Sequence, residues 1–427
     1  MQGTSSPENV STKLQRIAEL AKEAPDMVFT TLAHHIDLEL LHQAFRLTRK
    51  DGATGIDGQT ATEYAAKLQE NLRALLDRFK SGTYQAPPVR RVHIPKGDGK
   101  STRPIGIPTF EDKVLQRAVT MVLEAVYEQD FLDCSYGFRP SRSAHQALET
   151  LWRGLMDTGG GWVIEVDIKS YFDTINHEKL MRMVGQRVND RRMLKLIRRW
   201  LEAGVMTEHG YEGSEMGSPQ GGVISPLLSN IYLHYLDICW DKLGRHLGTI
   251  VRYADDMVVI CRTRKDAVHA LKLIQEAMKR LELTLHPEKT KLVSLWEGKD
   301  GFDFLGMHHR SIPTETSQAQ RYYTLHQFPS KKAMKKMRDR IKEVLGKRNV
   351  LWKETESLVA ELNPILRGWR NYYGLKTASR WLATVDWYVL NRFTRWYNKK
   401  RKKKRHLAEM GKVWILLNDL KLVKLAA

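Results

Sequence analysis

Two adjacent acids interrupt an otherwise apolar stretch in the second half of the sequence. Asp255 and Asp256 separate two runs with strand-like composition, 249–253 and 257–261. The pattern predicts a hairpin of two short strands with the acids at its tip. Crowding two carboxylates is costly unless a cation offsets their charge, so a divalent metal ion is one interpretation. An ordinary turn is the other, because Asp is common in turns, and these residues alone do not decide between the two.

A third acid closes another apolar strand. Asp167 stands near the end of the predicted strand 162–168, and Lys169 follows that strand. If it faces the acid pair, the three carboxylates offer oxygen ligands to Mg²⁺, a hard ion that prefers them. Two such ions about 3.5–4 Å apart can activate a 3′-hydroxyl and stabilise a leaving pyrophosphate. Taken alone, Asp167 is better explained as a strand-end acid without a role.

The charge of the chain indicates a polyanionic partner. Its 427 residues contain 69 Lys and Arg against 49 Asp and Glu, a formal net charge of +20. Between Arg321 and Arg405 there are 24 Lys or Arg and 6 Asp or Glu, and five of the eleven tryptophans. Nucleic acid is the most common partner of such one-sided charge. The alternative for this region is a helical domain with a solvated basic face.

Several classes of protein are disfavoured. The three cysteines, Cys134, Cys239 and Cys261, form no CxxC pair, which argues against a disulfide scaffold or a structural zinc site. The first thirty residues lack the pattern of a signal peptide, and no apolar run approaches the roughly eighteen residues of a membrane span. We expect an intracellular, cytoplasmic protein with no membrane partner; association with the nucleoid is the alternative location.

Alternating strands and helices between residues 84 and 310 indicate an α/β or α+β body, and the last hundred residues are predicted to be helical. Residues 1–30 are predicted to be a polar tail with one short helix at 13–22. Asn363 and Pro364 predict the start of a helix, and Gly374 is predicted to end that helix. Ser379 predicts the cap of a further helix.

These residues resemble a known family. Tyr253-Ala254-Asp255-Asp256 is similar to the YxDD motif of reverse transcriptases, and the segment 166–172 to their first catalytic block. The segment 217–222 is similar to their PQG block. Further blocks follow the family order at 94–96, 103–108, 136–140, 287–290 and 304–306. The spelling is closest to group II intron-encoded reverse transcriptases, also called maturases.

The resemblance implies an α+β right-hand polymerase, with fingers and a palm built on antiparallel sheet, plus a helical thumb or maturase (X) domain. The implied divisions are an N-terminal tail at 1–30, fingers and palm at 31–320 with an N-terminal extension at 31–75, the thumb at 321–398, and a basic C-terminal segment at 399–427 that could bind DNA. Because no cysteine follows Cys261, we expect no cysteine-containing HNH endonuclease domain.

The resemblance also implies a catalytic centre. Asp167 and Asp255 would be the main ligands of two Mg²⁺ ions, with Mn²⁺ as an alternative metal. Asp256 would lie beside them, and the backbone carbonyl of Ile168 would contact one ion.

Other residues would hold the nucleotide. Lys96 and Arg103 fall where the family contacts the triphosphate, with Lys100 as a substitute. Phe172 falls at the aromatic steric gate that favours dNTPs, although an ordinary core phenylalanine is the alternative. Gln220 would lie near the nucleotide and template.

The implied function is an RNA-directed DNA polymerase that adds dNTPs to a DNA or RNA primer on an RNA template. It would also bind group II intron RNA and a DNA target to assist splicing and mobility. The alternatives are an RNA-folding maturase without polymerase activity and a domesticated enzyme of DNA repair or phage defence. The pairs His34-His35 and His308-His309 are interpreted as surface or nucleic-acid-facing residues whose rings diverge.

Overall fold

The computed structural model describes residues 7–95, 102–159, 161–207, 210–213, 216–217, 221–296, 298–315, 321–346, 350–375, 377–402, 407 and 409–426. The helices of the first half are α1 Pro7–Glu23, α2 Leu38–Leu47, α3 Ala61–Ala66, α4 Leu68–Ser81, α5 Phe110–Tyr127, α6 Ala144–Asp157, α7 Tyr171–Thr174, α8 His177–Gly185 and α9 Arg191–Glu202. Those of the second half are α10 Ser225–Leu243, α11 Arg264–Arg280, α12 Lys331–Leu345, α13 Thr355–Tyr373, α14 Ser379–Lys400 and α15 Met410–Asp419. A short 3₁₀ helix spans Ala33–His35.

The strands form three sheets among the described residues. They are β1 Val89–Pro95, β2 Thr102–Ile107, β3 Trp162–Val166, β4 Val205–Thr207, β5 Gly210–Glu212, β6 Thr249–Tyr253, β7 Asp256–Cys261, β8 Lys291–Ser294, β9 Gly301–Phe304, β10 Met307–Glu315 and β11 Arg321–Pro329. Their orders are β2-β1-β4-β5, β11-β10-β9 and β6-β7-β3-β8. In the first sheet β1 and β2 are antiparallel with Ile94 opposite Arg103. The predicted mixture of strands and helices is confirmed.

The chain divides into two compact units. The first consists of Met1–Ser143, Val166–Met257 and Val268–Thr290, and the second of Ala144–Glu165, Val258–Ala267 and Lys291–Ala427.

The first unit is organised around α5. This helix starts at the cap Thr109, whose side chain accepts a hydrogen bond from the Asp112 N–H. It buries apolar residues on several sides, including Val114, Leu115 and Val119. A helix that is apolar nearly all round belongs in the interior, and its few polar residues there need partners. Two buried polar residues of α5, Asp112 and Gln116, have such partners in a hydrogen-bond network near the candidate site, which is described below.

The N-terminal helix is longer and more deeply packed than the sequence predicts. α1 begins at Pro7 and not near residue 13, and its Val10, Ile17 and Ala21 are at most 3% exposed. Their spacing of seven and four residues places them on one face of the helix. Residues 7–23 therefore contribute to the core of the first unit and do not behave as a polar tail.

The second unit contains a helical core. Apolar residues from α12, α13, α14 and α15 pack together, among them Met337, Leu362, Val389 and Val413. The first nine residues of the expected helical thumb instead form β11, and helical packing continues beyond residue 398 through α15. Leu425 also lies in this core.

One predicted helix start was wrong, and one predicted cap is absent. Pro364 lies inside α13, which begins at Thr355, because the buried positions Leu358, Leu362 and Leu366 continue the same apolar face through the proline. The Asn363 side chain does not cap the helix; it donates to the Lys421 carbonyl and accepts from the Val423 N–H. Packing has outweighed the local start signal. Ser379 is the first residue of α14 but makes no capping hydrogen bond through its side chain, whereas Gly374 follows the end of α13 as predicted.

The histidine pairs also differ from expectation. His309 is 0% exposed and stacks on Phe302, with ring centroids 4.9 Å apart. It is therefore a core residue and not a surface one, whereas His308 contacts Asp303. The rings of His34 and His35 do not diverge, since their centroids lie 3.8 Å apart in the 3₁₀ helix. Within the described ranges, no helix combines the length and the apolar character needed to cross a membrane.

Candidate active site

The acid pair lies in a tight turn between β6 and β7, as predicted. Tyr253 ends β6 and Asp256 begins β7. Ala254 has a φ of 58°, in the left-handed region that residues other than glycine seldom occupy. A residue in this region costs free energy, so surrounding contacts must hold Ala254 in place.

Gly137 allows another segment to pack directly against this turn. A Cβ atom at Gly137 would lie 2.2 Å from the backbone nitrogen of Ala254. The same segment is bonded to β6, because the Tyr136 N–H donates to the Arg252 carbonyl at 2.8 Å and the Arg252 N–H donates to the Cys134 carbonyl at 2.8 Å. The close approach requires glycine here.

Arg252 supports the turn from inside the protein. Its side chain is 0% exposed, and its guanidinium bonds both oxygens of Asp237, at 2.8 Å and 2.5 Å. It also donates to Ser135 Oγ at 2.7 Å, to Asn230 Oδ1 at 3.1 Å and to the Ala254 carbonyl at 3.1 Å. These contacts use all five of the N–H donors that a guanidinium has. The buried side chain is thereby satisfied, and one of its bonds fixes the turn directly.

Asp237 carries the balancing negative charge. Burial acts to raise the pKa of this carboxyl, but the Arg252 guanidinium outweighs burial and holds the pKa at about 2. Asn230 extends the network by donating to the Gly137 carbonyl at 2.8 Å. One buried polar network thus joins β6, α10 and the segment 135–137 around the acid turn.

Asp167 is positioned by the segment that follows α11. Its carbonyl accepts the His286 N–H at 2.8 Å, and the Lys169 N–H donates to the Thr284 carbonyl at 2.9 Å. Ile168 forms a β-bridge with Leu285. Both carboxylate oxygens of Asp167 lie 3.2 Å from Lys289 Nζ. The sequence placed Lys289 in a family block without giving it a contact, and the structure pairs it with the acid.

The charge of Asp167 acts on both acids of the turn. Burial raises the pKa of Asp255; the charge of Asp167 raises it further, and Arg103 opposes the rise. Burial of the Asp256 carboxyl, followed by the charges of Asp255 and Asp167, raises its pKa to about 6, although the residue as a whole keeps access to solvent. A nearby cation would relieve this repulsion.

The donor set fits Mg²⁺ by chemistry, since hard carboxylate oxygens crowd one another there. However, among the residues that the structure describes, no three His, Cys, Asp or Glu side chains are grouped closely enough to hold one ion. The Asp167 oxygens are turned to Lys289. Coordination by Asp167, Ile168, Asp255 and Asp256 therefore stays a prediction.

The nucleotide-binding candidates are partly described. Arg103 is exposed on β2, close enough to affect the pKa of both Asp255 and Asp256. Phe172 is half-buried in α7. A Cβ atom at Gly217 would lie 2.9 Å from its carbonyl, so the PQG block begins against α7. Lys96, Lys100 and Gln220 lie outside the described residues.

A second buried network, which the sequence analysis missed, holds the residues just after the PQG block. Gln116 Oε1 accepts the backbone N–H groups of Val223, at 2.7 Å, and Ile224, at 3.3 Å. Gln116 donates to Asp112, which also accepts from Tyr84 and Trp200. Burial raises the pKa of Asp112 to about 6, and these three donors limit the rise.

Both buried networks could have been suspected from the sequence. Asp112 and Gln116 are four residues apart on an otherwise apolar helix face, and Arg252 interrupts an apolar strand. Buried polar residues in such positions are expected to have specific partners.

Comparison with known proteins places this sequence in a family. Residues 94–309 match the family described as reverse transcriptase (RNA-dependent DNA polymerase). The chain belongs to the reverse transcriptase family. Residues 334–414 of this reverse transcriptase match the group II intron, maturase-specific domain. The predictions of family, of an RNA-directed DNA polymerase and of a maturase domain are confirmed.

Individual relatives agree with this placement. The reverse transcriptase is similar to protein YkfC of Escherichia coli, 38% identical over 344 residues that cover 71% of this chain and 88% of that protein. It is also similar to the group II intron-encoded protein LtrA of Lactococcus lactis, 41% identical over 228 residues. That match covers 52% of this chain and 37% of LtrA. An uncharacterized 91 kDa protein in the cob intron of Schizosaccharomyces pombe is 26% identical across 91% of this chain, which spans 56% of that protein.

Proposed function

We propose that this reverse transcriptase extends a DNA or RNA primer with dNTPs on an RNA template, and that it binds group II intron RNA to assist splicing and insertion into a DNA target. The observation that carries the catalytic part is that Asp255 and Asp256 lie at the turn between β6 and β7, where the charge of Asp167 acts on both of them. The family match over residues 94–309 supports the activity class.

Each site residue receives a role in this proposal. Asp167 and Asp255 hold two Mg²⁺ ions with the Ile168 carbonyl, and Asp256 lies beside them. Arg103 and Lys96 bind the triphosphate, since guanidinium and ammonium groups suit that anion. Phe172 excludes a 2′-hydroxyl, and Gln220 contacts the nucleotide and template. Bound Mg²⁺ supplies the charge that favours ionisation of the primer 3′-hydroxyl and stabilises the leaving pyrophosphate.

We also propose the larger arrangement. Residues 31–320 form the fingers and palm of a right-hand polymerase, including an N-terminal extension at 31–75, and 321–398 form the thumb or maturase domain. The basic segment 399–427 contacts DNA. We expect the enzyme to act in the cytoplasm, where its RNA and dNTP substrates occur.

Primer extension tests the catalytic proposal. The full chain, with Mg²⁺, dNTPs and a primed RNA template, is expected to give complementary DNA, and Asp255→Ala is expected to abolish the product. Asp77→Ala, which removes an exposed acid of α4, serves as the control and should keep activity. Absence of product from the unaltered chain, or full activity of Asp255→Ala, would contradict the proposal.

Splicing of a group II intron RNA tests the second part. The unaltered chain is expected to accelerate splicing, and Asp255→Ala is expected to retain that effect because RNA folding does not need the acid turn. A chain that binds and splices no intron RNA while still polymerising would instead favour a domesticated role without an intron.

A further inference from the structure

A cationic concavity lies between the end of α4 and the N-terminal half of α9 in the first unit. It has a volume of about 230 Å³, and five cations line it: Lys80, Arg191, Arg192, Lys195 and Arg199. Among the described residues, its lining contains no Asp or Glu. We refer to it as the α4–α9 pocket.

The floor of the pocket is firmly built. Arg199 donates to the carbonyls of Gly82 and Tyr84, which follow α4. Phe79 and Leu196 are each 3% exposed and close the pocket from below. The two buried side chains and the bonds from Arg199 to the segment after α4 therefore define the base of the pocket.

The remaining cations are free to bind an anion. Lys80, Arg191, Arg192 and Lys195 are exposed, and no ion pair or side-chain hydrogen bond joins any of them to a described residue. By contrast, Arg198 on another side of α9 contacts Glu178 and Glu202. The positive charge of α9 is thus neutralised away from the pocket and left unbalanced inside it.

Nearby acids are already engaged. Asp190 caps α9 by accepting the N–H groups of Arg192 and Met193, and its other oxygen accepts the Ala33 N–H. Asp37 forms an ion pair with Lys13; burial opposes the shift, but chiefly the hydrogen bond from Lys13, with a smaller contribution from Lys80, lowers the pKa of Asp37. Like charges four residues apart on a helix, such as Arg191 and Lys195, repel unless a bound anion offsets them.

The chemistry points to a phosphodiester backbone. Residues four apart on a helix are displaced by about 6 Å along its axis, which is of the order of the spacing between neighbouring phosphates of one RNA strand. The aromatic rings at the floor, Phe79 and Tyr84, are buried, so stacking on bases is not available there. Contacts of this kind bind RNA without reading its sequence.

We propose that the α4–α9 pocket binds the backbone of a folded RNA outside the primer–template duplex. This rests on the proposed function in that it takes RNA as the partner. Neither α4 nor α9 contributes a residue to the acid constellation, so the anion held there is distinct from the incoming nucleotide. The pocket thereby separates retention of a structured RNA from polymerisation.

Salt-dependent RNA binding tests the proposal. The variant Arg191→Ala/Arg192→Ala/Lys195→Ala is compared with Lys265→Ala/Lys272→Ala/Lys279→Ala, which removes three exposed cations from α11. The affinity of the full chain for a group II intron transcript is measured between about 50 and 200 mM salt. The pocket variant is expected to reduce the slope of log affinity against log salt by about 2–3, and the α11 variant by less than about 1. Equal effects of the two variants, or none, would overturn the proposal.

Two further measurements keep this outcome interpretable. Arg191→Lys/Arg192→Lys preserves the charge and is expected to retain the slope, which separates lost charge from misfolding. Primer extension on a short unstructured RNA is expected to change less than about twofold in the Ala variant; a loss that parallels the loss of affinity would assign the pocket to the template and overturn the proposal. An unaltered chain that binds the transcript but makes no DNA would refute the polymerase function and leave the pocket result standing.

Discussion

Arg252 and Asp237 form an ion pair that is fully buried, and the same guanidinium bonds the carbonyl of Ala254 in the turn that carries Asp255. Neither Arg252 nor Asp237 belongs to the family motif at 253–256. Their geometry nevertheless determines where the first acid of the pair is held.

Separating this pair should reduce both stability and activity. Asp237→Asn leaves an uncompensated buried cation and is expected to lower the free energy of unfolding by about 3–5 kcal/mol. The double variant Arg252→Met/Asp237→Leu is expected to recover most of that stability, since no buried charge remains, but not the kcat, because the Ala254 carbonyl loses its donor. Thermal unfolding and primer extension measure the two effects. Full kcat in the double variant would mean that the pair only stabilises the fold.

Lys289 should weaken metal binding in the resting enzyme. Its ammonium occupies both oxygens of Asp167, so Lys289→Met is expected to lower the Mg²⁺ concentration at half-maximal primer extension. Both side chains are partly exposed, and the loss of stability should stay below about 1 kcal/mol. Lys272→Met removes a cation from α11 and is the control. An increased Mg²⁺ requirement in Lys289→Met would contradict the idea that Lys289 competes with Mg²⁺ for Asp167.

Gln116 should affect nucleotide binding through the loop it holds. Gln116→Met has a similar shape but leaves the N–H groups of Val223 and Ile224 without their acceptor, at about 1–3 kcal/mol for each buried group. The residues just before them contain the PQG block, so the KM for dNTPs is expected to rise more than kcat falls. Steady-state kinetics measure this, with Gln69→Met on the exposed side of α4 as the control. An unchanged KM would show that the network does not position the block.

Glu124 predicts a pH-dependent stability. Burial raises the pKa of Glu124 from 4.5 to about 7, with Arg117 opposing and Glu128 adding to the rise. Because the folded-state pKa lies above the unfolded one, its contribution is complete below pH 4.5 and is lost as the pH rises through about 7. Glu124→Gln removes this loss, so the stability of the variant relative to the unaltered chain should increase by about 3 kcal/mol between those limits. Unfolding temperatures at both limits test it; a constant difference would contradict it.

Local patterns predicted the strands and the acid turn well. The bounds of β6 agree with the run 249–253 that predicted it, and those of β7 agree with the run 257–261 to within one residue, because both strands are largely apolar and buried. The motif spelling identified the family, and the turn at Ala254 lies where the adjacent acids predicted it.

Other features depend on distant contacts that no local pattern contains. Pro364 was misjudged because the apolar face of α13 continues past it. His309 was placed at the surface, although Phe302 of a neighbouring strand covers its ring. The partners of Arg252 come from segments more than a hundred residues apart in sequence, at Ser135 and Asp237. Such contacts follow from tertiary structure, and only the unusual polarity of the buried residue announces them.

The end of the helical core has a practical consequence for handling this protein. Asp386 of α14 accepts the backbone N–H groups of Leu425 and Ala426, and Leu425 is 1% exposed. An affinity tag joined directly after these residues would disturb the packing of the buried Leu425 side chain. A spacer of flexible residues, or a tag at the opposite terminus, would leave the contacts of Asp386 and Leu425 intact.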